Sequence, residues 1–148
     1  MKIIEILLWV LTIVVYLIHL FIIPEVLVLL NLFLHALSLF YFLLGFASFN
    51  GATFNRIFKK ETYAEAGPLG IVATAGSGYS LSLVVIGILF KLMHYPGSKV
   101  MLYAGLFFLL GFNIVSLIRF LQNRYPGFLR ILIRTILIGG FGLYLIIG

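Results

Sequence analysis

The sequence predicts an all-α, polytopic integral membrane protein, a single membrane domain built as a bundle of five transmembrane helices. Three observations carry that prediction. Charge is scarce: acidic and basic residues make up 9% of the chain and apolar residues 64%, whereas soluble domains carry about 25% charged residues. So little charge cannot cover a water-facing surface, and the bilayer is the solvent that fits. Apolar runs of the length needed to cross a membrane, roughly 20 residues, follow one another along the chain. The few charges gather at the ends of these runs.

The first run covers residues 3–23 and ends at Pro24-Glu25, because proline cannot continue a helix and restricts the residue before it. No small-residue cleavage site follows this run, so it reads as a retained span rather than a signal peptide. The second run, 25–49, starts at once, and the short link predicts an antiparallel hairpin. Residues 50–68 form the one polar segment, a basic loop. Asn50-Gly51 has the composition of a helix C-cap and turn. Phe54, Ile57 and Phe58 interleave with Arg56, Lys59 and Lys60, a pattern for a short helix lying at the headgroups or for a solvated loop with basic anchors. The third and fourth runs cover 69–93 and 100–121 and meet at Tyr95-Pro96-Gly97-Ser98, a tight turn. Residues 122–130 make a second basic link. The fifth run, 131–148, reaches roughly 27 Å at the helical rise, just enough to cross.

Orientation follows from where Lys and Arg fall. With the N-terminus inside, the cytoplasmic side holds Lys2, Arg56, Lys59, Lys60, Arg119, Arg124, Arg130 and Arg134, and the far side only Lys91 and Lys99. The chain is therefore expected to span with its N-terminus in the cytoplasm and its C-terminus on the far side of the membrane. Arg119, Arg124, Arg130 and Arg134 form a basic rim suited to anionic lipid. The net charge of +6 is accounted for by this topology, so nucleic acid is not an expected partner.

Polar groups inside spans are functional suspects by default. His19 and Asn31 flank Pro24 at similar depth in the predicted hairpin, and a hydrogen bond between them is the expected arrangement. His35 lies one turn beyond Asn31. Haem held by His19 and His35 is disfavoured, because axial ligands face each other at one depth and these two are offset by roughly 9 Å. Asn113 is expected to bond a neighbouring helix. Lys91 and His94 cluster at the 95–98 turn as partner or path-lining candidates. The third run is rich in small residues, with Thr74, Gly78 and Ser82 at four-residue spacing and Gly76 and Ser80 likewise. Such faces let helix backbones approach closely.

Catalytic signatures are missing: the chain has no His-Glu-x-x-His, no Gly-x-Ser-x-Gly and no phosphate loop. It has no Cys and no Asp, so thiolate metal sites and disulfides are excluded. Glu61 and Glu65 sit beside basic residues in the polar loop and read as a balanced surface. No cofactor and no metal site is expected.

Gly87-Ile88-Leu89-Phe90-Lys91-Leu92-Met93-His94-Tyr95-Pro96-Gly97-Ser98, followed by Met101-Leu102 and Gly105-Leu106, resembles the transmembrane hairpin of GldL, an inner-membrane motor protein of Bacteroidetes gliding motility and type IX secretion. The resemblance covers about residues 77–109, not the whole chain. It implies a bacterial inner membrane, so that the far side is the periplasm, with a turn facing outward and a helical hairpin. In that family a glutamate of the second helix is linked to proton-driven motion, and Leu109 stands at the aligned position. The family has two spans and a long cytoplasmic region, against five expected spans here. The resemblance therefore implies a shared hairpin without the motor's acid.

The expected function is a non-enzymatic inner-membrane subunit that contributes helix packing and lipid contacts to a larger complex, with other membrane subunits or self-association as partners. The alternative is a small transporter or ion conduit acting as an oligomer, its path lined by the small-residue third helix together with His19, Asn31, His35, Asn113 and Lys91. A lipid-acting membrane enzyme ranks below both, for want of a nucleophile or metal set.

Overall fold

Five long helices run up and down through a computed structural model that describes residues 1–21, 26–123 and 126–147. Helix α1 is Lys2–Phe21, α2 Leu27–Phe49, α3 Gly67–Leu92 and α4 Ser98–Asn123. The last passage is composite: α5, Pro126–Arg134, continues through a π-helical turn, Thr135–Gly139, into α6, Gly140–Ile147. No strand occurs among the described residues. All five passages are long and apolar enough to cross a membrane, the fifth over Gly127–Ile147. The chain is an all-α helical membrane bundle.

Helix α3 is the centre. Of its membrane window 61% is buried inside the protein, against 17–33% for the other four. Its small residues explain this. A Cβ on Gly45 of α2 would lie 2.8 Å from Gly78 Cα, and one on Gly78 would lie 2.9 Å from the Tyr41 carbonyl oxygen. The α2 and α3 backbones therefore touch directly, as small-residue membrane interfaces do. On the other side of α3, a Cβ on Gly105 of α4 would lie 2.9 Å from Val84 N, and one on Gly76 would run into the Phe112 ring. Ser38 and Ser82 hydroxyls bond across the α2–α3 contact at 2.8 Å.

The 95–98 turn is built on the end of α3. Tyr95 N–H donates to the Phe90 carbonyl at 2.8 Å and His94 N–H to that of Lys91 at 3.2 Å, the paired bonds of a Schellman C-cap. Its left-handed position is filled by His94, at φ +55°. The Tyr95 ring meets Phe90 edge-on at 5.5 Å, the apolar contact that accompanies this cap.

Of the two readings of the 50–68 loop, the short helix at the headgroups is the one not formed. The 54–60 stretch forms no continuous amphipathic helix: it holds two short 3-10 turns, Phe54–Arg56 and Lys60–Tyr63, separated by Lys59 in extended geometry. Phe58 is 98% exposed. The Tyr63 hydroxyl donates to the Ile57 carbonyl at 2.6 Å, and burial pushes its pKa above the ordinary value. The second basic link is also shorter than expected. Helix starts at Pro126, a residue suited to a first helical position, so Phe128 and Ile131 are fully buried core side chains of α5. The helix break expected at Pro24-Glu25 lies outside the described residues.

Candidate functional site

Where α1, the end of α2 and α5 converge, one buried carboxylate organises the bundle. Glu5 projects from the first turns of α1 and is 3% exposed. Arg134, at the end of α5, grips both its oxygens through Nε and Nη2, the bidentate fork that suits guanidinium and carboxylate. Tyr41 donates to Glu5 Oε1 at 2.8 Å and Ser48 to Oε2 at 3.0 Å. Trp9 N–H in turn donates to the Tyr41 oxygen at 2.9 Å. Arg134 spends its remaining nitrogen on the Arg130 carbonyl, at 3.1 Å, and lies 5.3 Å above the Phe49 ring. It is the one ion pair among the described residues. Each oxygen of Glu5 accepts two bonds, which is what a charge needs to survive burial.

Two neighbouring basic residues hold backbone carbonyls towards this end of the bundle. Arg130 Nη1 donates to the Phe49 carbonyl at the end of α2, at 3.0 Å, where the helix dipole favours a cation. Arg119 Nη2 donates to the Ala66 carbonyl at 3.2 Å, while its Nε has no partner. Of the four arginines of the expected lipid rim, Arg134 is thus turned inward to Glu5, and Arg130 and Arg119 each hold a backbone carbonyl. Arg124 lies outside the described residues.

Beside the ion pair, α1 stands away from α5 and α6 and leaves a cleft of about 600 Å³. Its walls are apolar, with Ile6, Val10 and Ile13 from α1 facing Ile133, Leu137 and Phe141. Glu5–Arg134 spans one end, and the Tyr16 ring meets Phe141 at 6.0 Å further along.

The sequence candidates fall into separate places. Lys91 is half-buried at the end of α3, and the His94 side chain is exposed beside it. The expected His19–Asn31 bond is not formed: His19 Nδ1 and Asn31 Oδ1 are both buried without a partner. Instead, His35 Nδ1 lies 3.0 Å from the Asn31 backbone oxygen, a one-turn contact within α2 that needs no partner helix. Asn113 reaches Thr135 of the π turn at 2.9 Å and bonds back to the Leu109 carbonyl at 2.6 Å. In the small-residue set, Thr74 accepts from Asn50 at 3.1 Å and Ser80 bonds back to Gly76 at 2.7 Å; Gly76, Gly78 and Ser82 make the helix contacts described above. No group of three or more potential metal ligands occurs among the described residues.

Residues 77–117 match the family model of the GldL N-terminal domain. The matched segment is the second part of α3, the capped turn at His94 and most of α4. With the five apolar helices, it indicates a bacterial inner-membrane protein. Neither the curated proteins nor the solved structures offer a match to the chain. Within this GldL-like hairpin Leu109 is 1% exposed and packs towards Gly139, where a Cβ would lie 3.3 Å from its methyl group. That position is closed by hydrocarbon from the chain's own fifth passage.

The Glu5 cluster was missed by sequence reasoning. Its signal was present: Glu5 and Arg134 are the only charged side chains well inside the first and last apolar runs, and each is expensive there unless paired.

Proposed function

We propose that the protein is a non-enzymatic inner-membrane subunit of an assembly related to the gliding and type IX secretion machinery in which GldL works. The observation that carries this reading is the family match over residues 77–117, which falls on the most tightly built part of the bundle. The hairpin also offers a surface for another membrane subunit. Tyr103, Phe107, Leu110, Ile114, Leu117 and Leu121 recur on α4 at alternating three- and four-residue steps, and all are exposed. That spacing is the seam along which helices pack at shallow angles.

A self-contained proton motor finds no support. The acid of the GldL helix is replaced by buried Leu109, and Glu5 has all its acceptor positions taken within the chain. A conduit through α3 finds none either, because its small residues are filled by neighbouring backbone and rings. The proposed topology has the N-terminus in the cytoplasm and the C-terminus in the periplasm.

Mild-detergent extraction from the native membrane followed by native electrophoresis tests the reading. A complex-sized species is expected, and Phe107→Ala together with Ile114→Ala in α4 should release the protein from it. A stable monomer in native membranes, unchanged by these substitutions, would overturn it.

A further inference from the structure

We propose that the cleft between α1 and the fifth passage is a binding site for one acyl chain of an anionic phospholipid, drawn from the leaflet on the basic side of the protein. Four polar side chains that line the cleft are satisfied within the chain. Glu5 and Arg134 satisfy each other, Trp9 N–H is spent on Tyr41, and the Thr12 hydroxyl donates to the Leu8 carbonyl at 2.7 Å. None of these four asks for a bond from an occupant. Apart from Tyr16, the other wall residues are all apolar, so the chemistry that fits the cleft is hydrocarbon.

Length then selects among hydrocarbon occupants. Along α1 the cleft is lined from Glu5, bridged to Arg134, as far as Tyr16, which meets Phe141. Eleven helical steps from residue 5 to residue 16 cover about 16 Å. A partner's transmembrane helix must cross about 30 Å of hydrocarbon and is too long for this stretch. One leaflet is about half that thickness, the reach of a single lipid tail. A volume of about 600 Å³ lies within the usual range for small-ligand clefts. Ile6, Val10, Ile13, Ile133 and Leu137 are each at least half exposed, so the cleft opens sideways to the bilayer and a tail can enter from it.

Charge selects the headgroup. The ion-paired end of the cleft is the basic end of the bundle. Lys2 lies one turn before Glu5 and is exposed, and Arg130 lies one turn before Arg134 with part of its guanidinium free of the Phe49 carbonyl. An anionic phosphodiester above the cleft meets both, and each basic group near the surface strengthens such binding about fivefold. The site rests on the membrane reading alone, so failure to find a larger complex leaves it standing.

The chain supplies its own probe. Trp9 is its sole tryptophan and lines the cleft. The full chain is reconstituted in vesicles in which phosphatidylglycerol or phosphatidylcholine carries brominated tails, which quench tryptophan on contact. Quenching by brominated phosphatidylglycerol is expected to saturate at low mole fraction, several-fold below that for phosphatidylcholine. Ile13→Phe with Leu137→Phe, which fills the cleft, should return quenching to the bulk-lipid curve. Lys2→Gln, at an exposed position that leaves the fold intact, should cut the anionic preference about fivefold. Quenching that tracks bulk lipid composition in the unmodified protein, or that ignores headgroup charge, overturns the proposal. So does shielding of Trp9 from both lipids by a second copy of the chain, read as a dimer in the same vesicles.

Discussion

Glu5 and Arg134 stand 129 residues apart, and that separation explains why the pair was hidden. Each residue read alone has an ordinary place: Glu5 in the first turns of a helix, where an acid complements the dipole, and Arg134 among the basic residues of a membrane rim. Only the fold brings the two passages together and adds Tyr41 and Ser48 from a third helix. The energetics of such a pair are asymmetric. Removing one partner leaves an uncompensated buried charge and costs about 3–5 kcal/mol, while replacing both with matched apolar groups is often neutral. Glu5→Gln is therefore expected to destabilise the bundle by about 3–5 kcal/mol, and Arg134→Met by a similar amount. The double variant should recover most of that loss. Unfolding titrations in SDS measure all three. Strictly additive losses would mean that the two side chains act independently and that the ion pair is incidental.

At the scale of the helix, the apolar runs were legible because each spans the bilayer, and the small-residue face of α3 was legible because its spacing matches the helical turn. Less visible was what each glycine meets. Gly45 drew no notice in the sequence, yet it is the partner of Gly78, and a Cβ there would lie 2.8 Å from that residue's Cα. Gly111 sits in the middle of α4 with nothing within 4 Å of its would-be Cβ. The two glycines should therefore respond in opposite directions to one substitution. Gly45→Ala forces two backbones apart and is expected to cost about 1–3 kcal/mol. Gly111→Ala restores helix propensity without a clash and should gain about 0.5–1 kcal/mol. Thermal unfolding in detergent compares them directly, and equal effects would contradict the backbone contact. The start of α5 was misread for a related reason: residues 122–130 have the composition of a basic link, while proline at a first helical position opens a helix equally well.

For the whole molecule, the up-and-down arrangement sorts the charges into two ends. The start of α1, the end of α2, the start of α3, the end of α4 and the start of α5 share one end. That end carries Lys2, the 50–66 loop with Arg56, Lys59 and Lys60, and Arg119 and Arg130. The opposite end carries Lys91 and Lys99 beside the capped turn. Because positive residues are retained in the cytoplasm, the end with the loop is expected inside and the His94 turn outside. Burial does not distort this count much: Arg134 is neutralised by Glu5, yet the exposed Lys2, Arg56, Lys59 and Lys60 still outweigh Lys91 and Lys99. The absence of cysteine makes the prediction simple to check. Lys59→Cys and Lys99→Cys each place a single thiol at an exposed position. In intact spheroplasts a membrane-impermeant maleimide should label the Lys99→Cys protein at once and the Lys59→Cys protein only after lysis. The reverse pattern would invert the topology and move the basic end, with its proposed lipid site, to the outer leaflet. Labelling of both before lysis would mean that the chain inserts in two orientations and that the charge bias does not fix either.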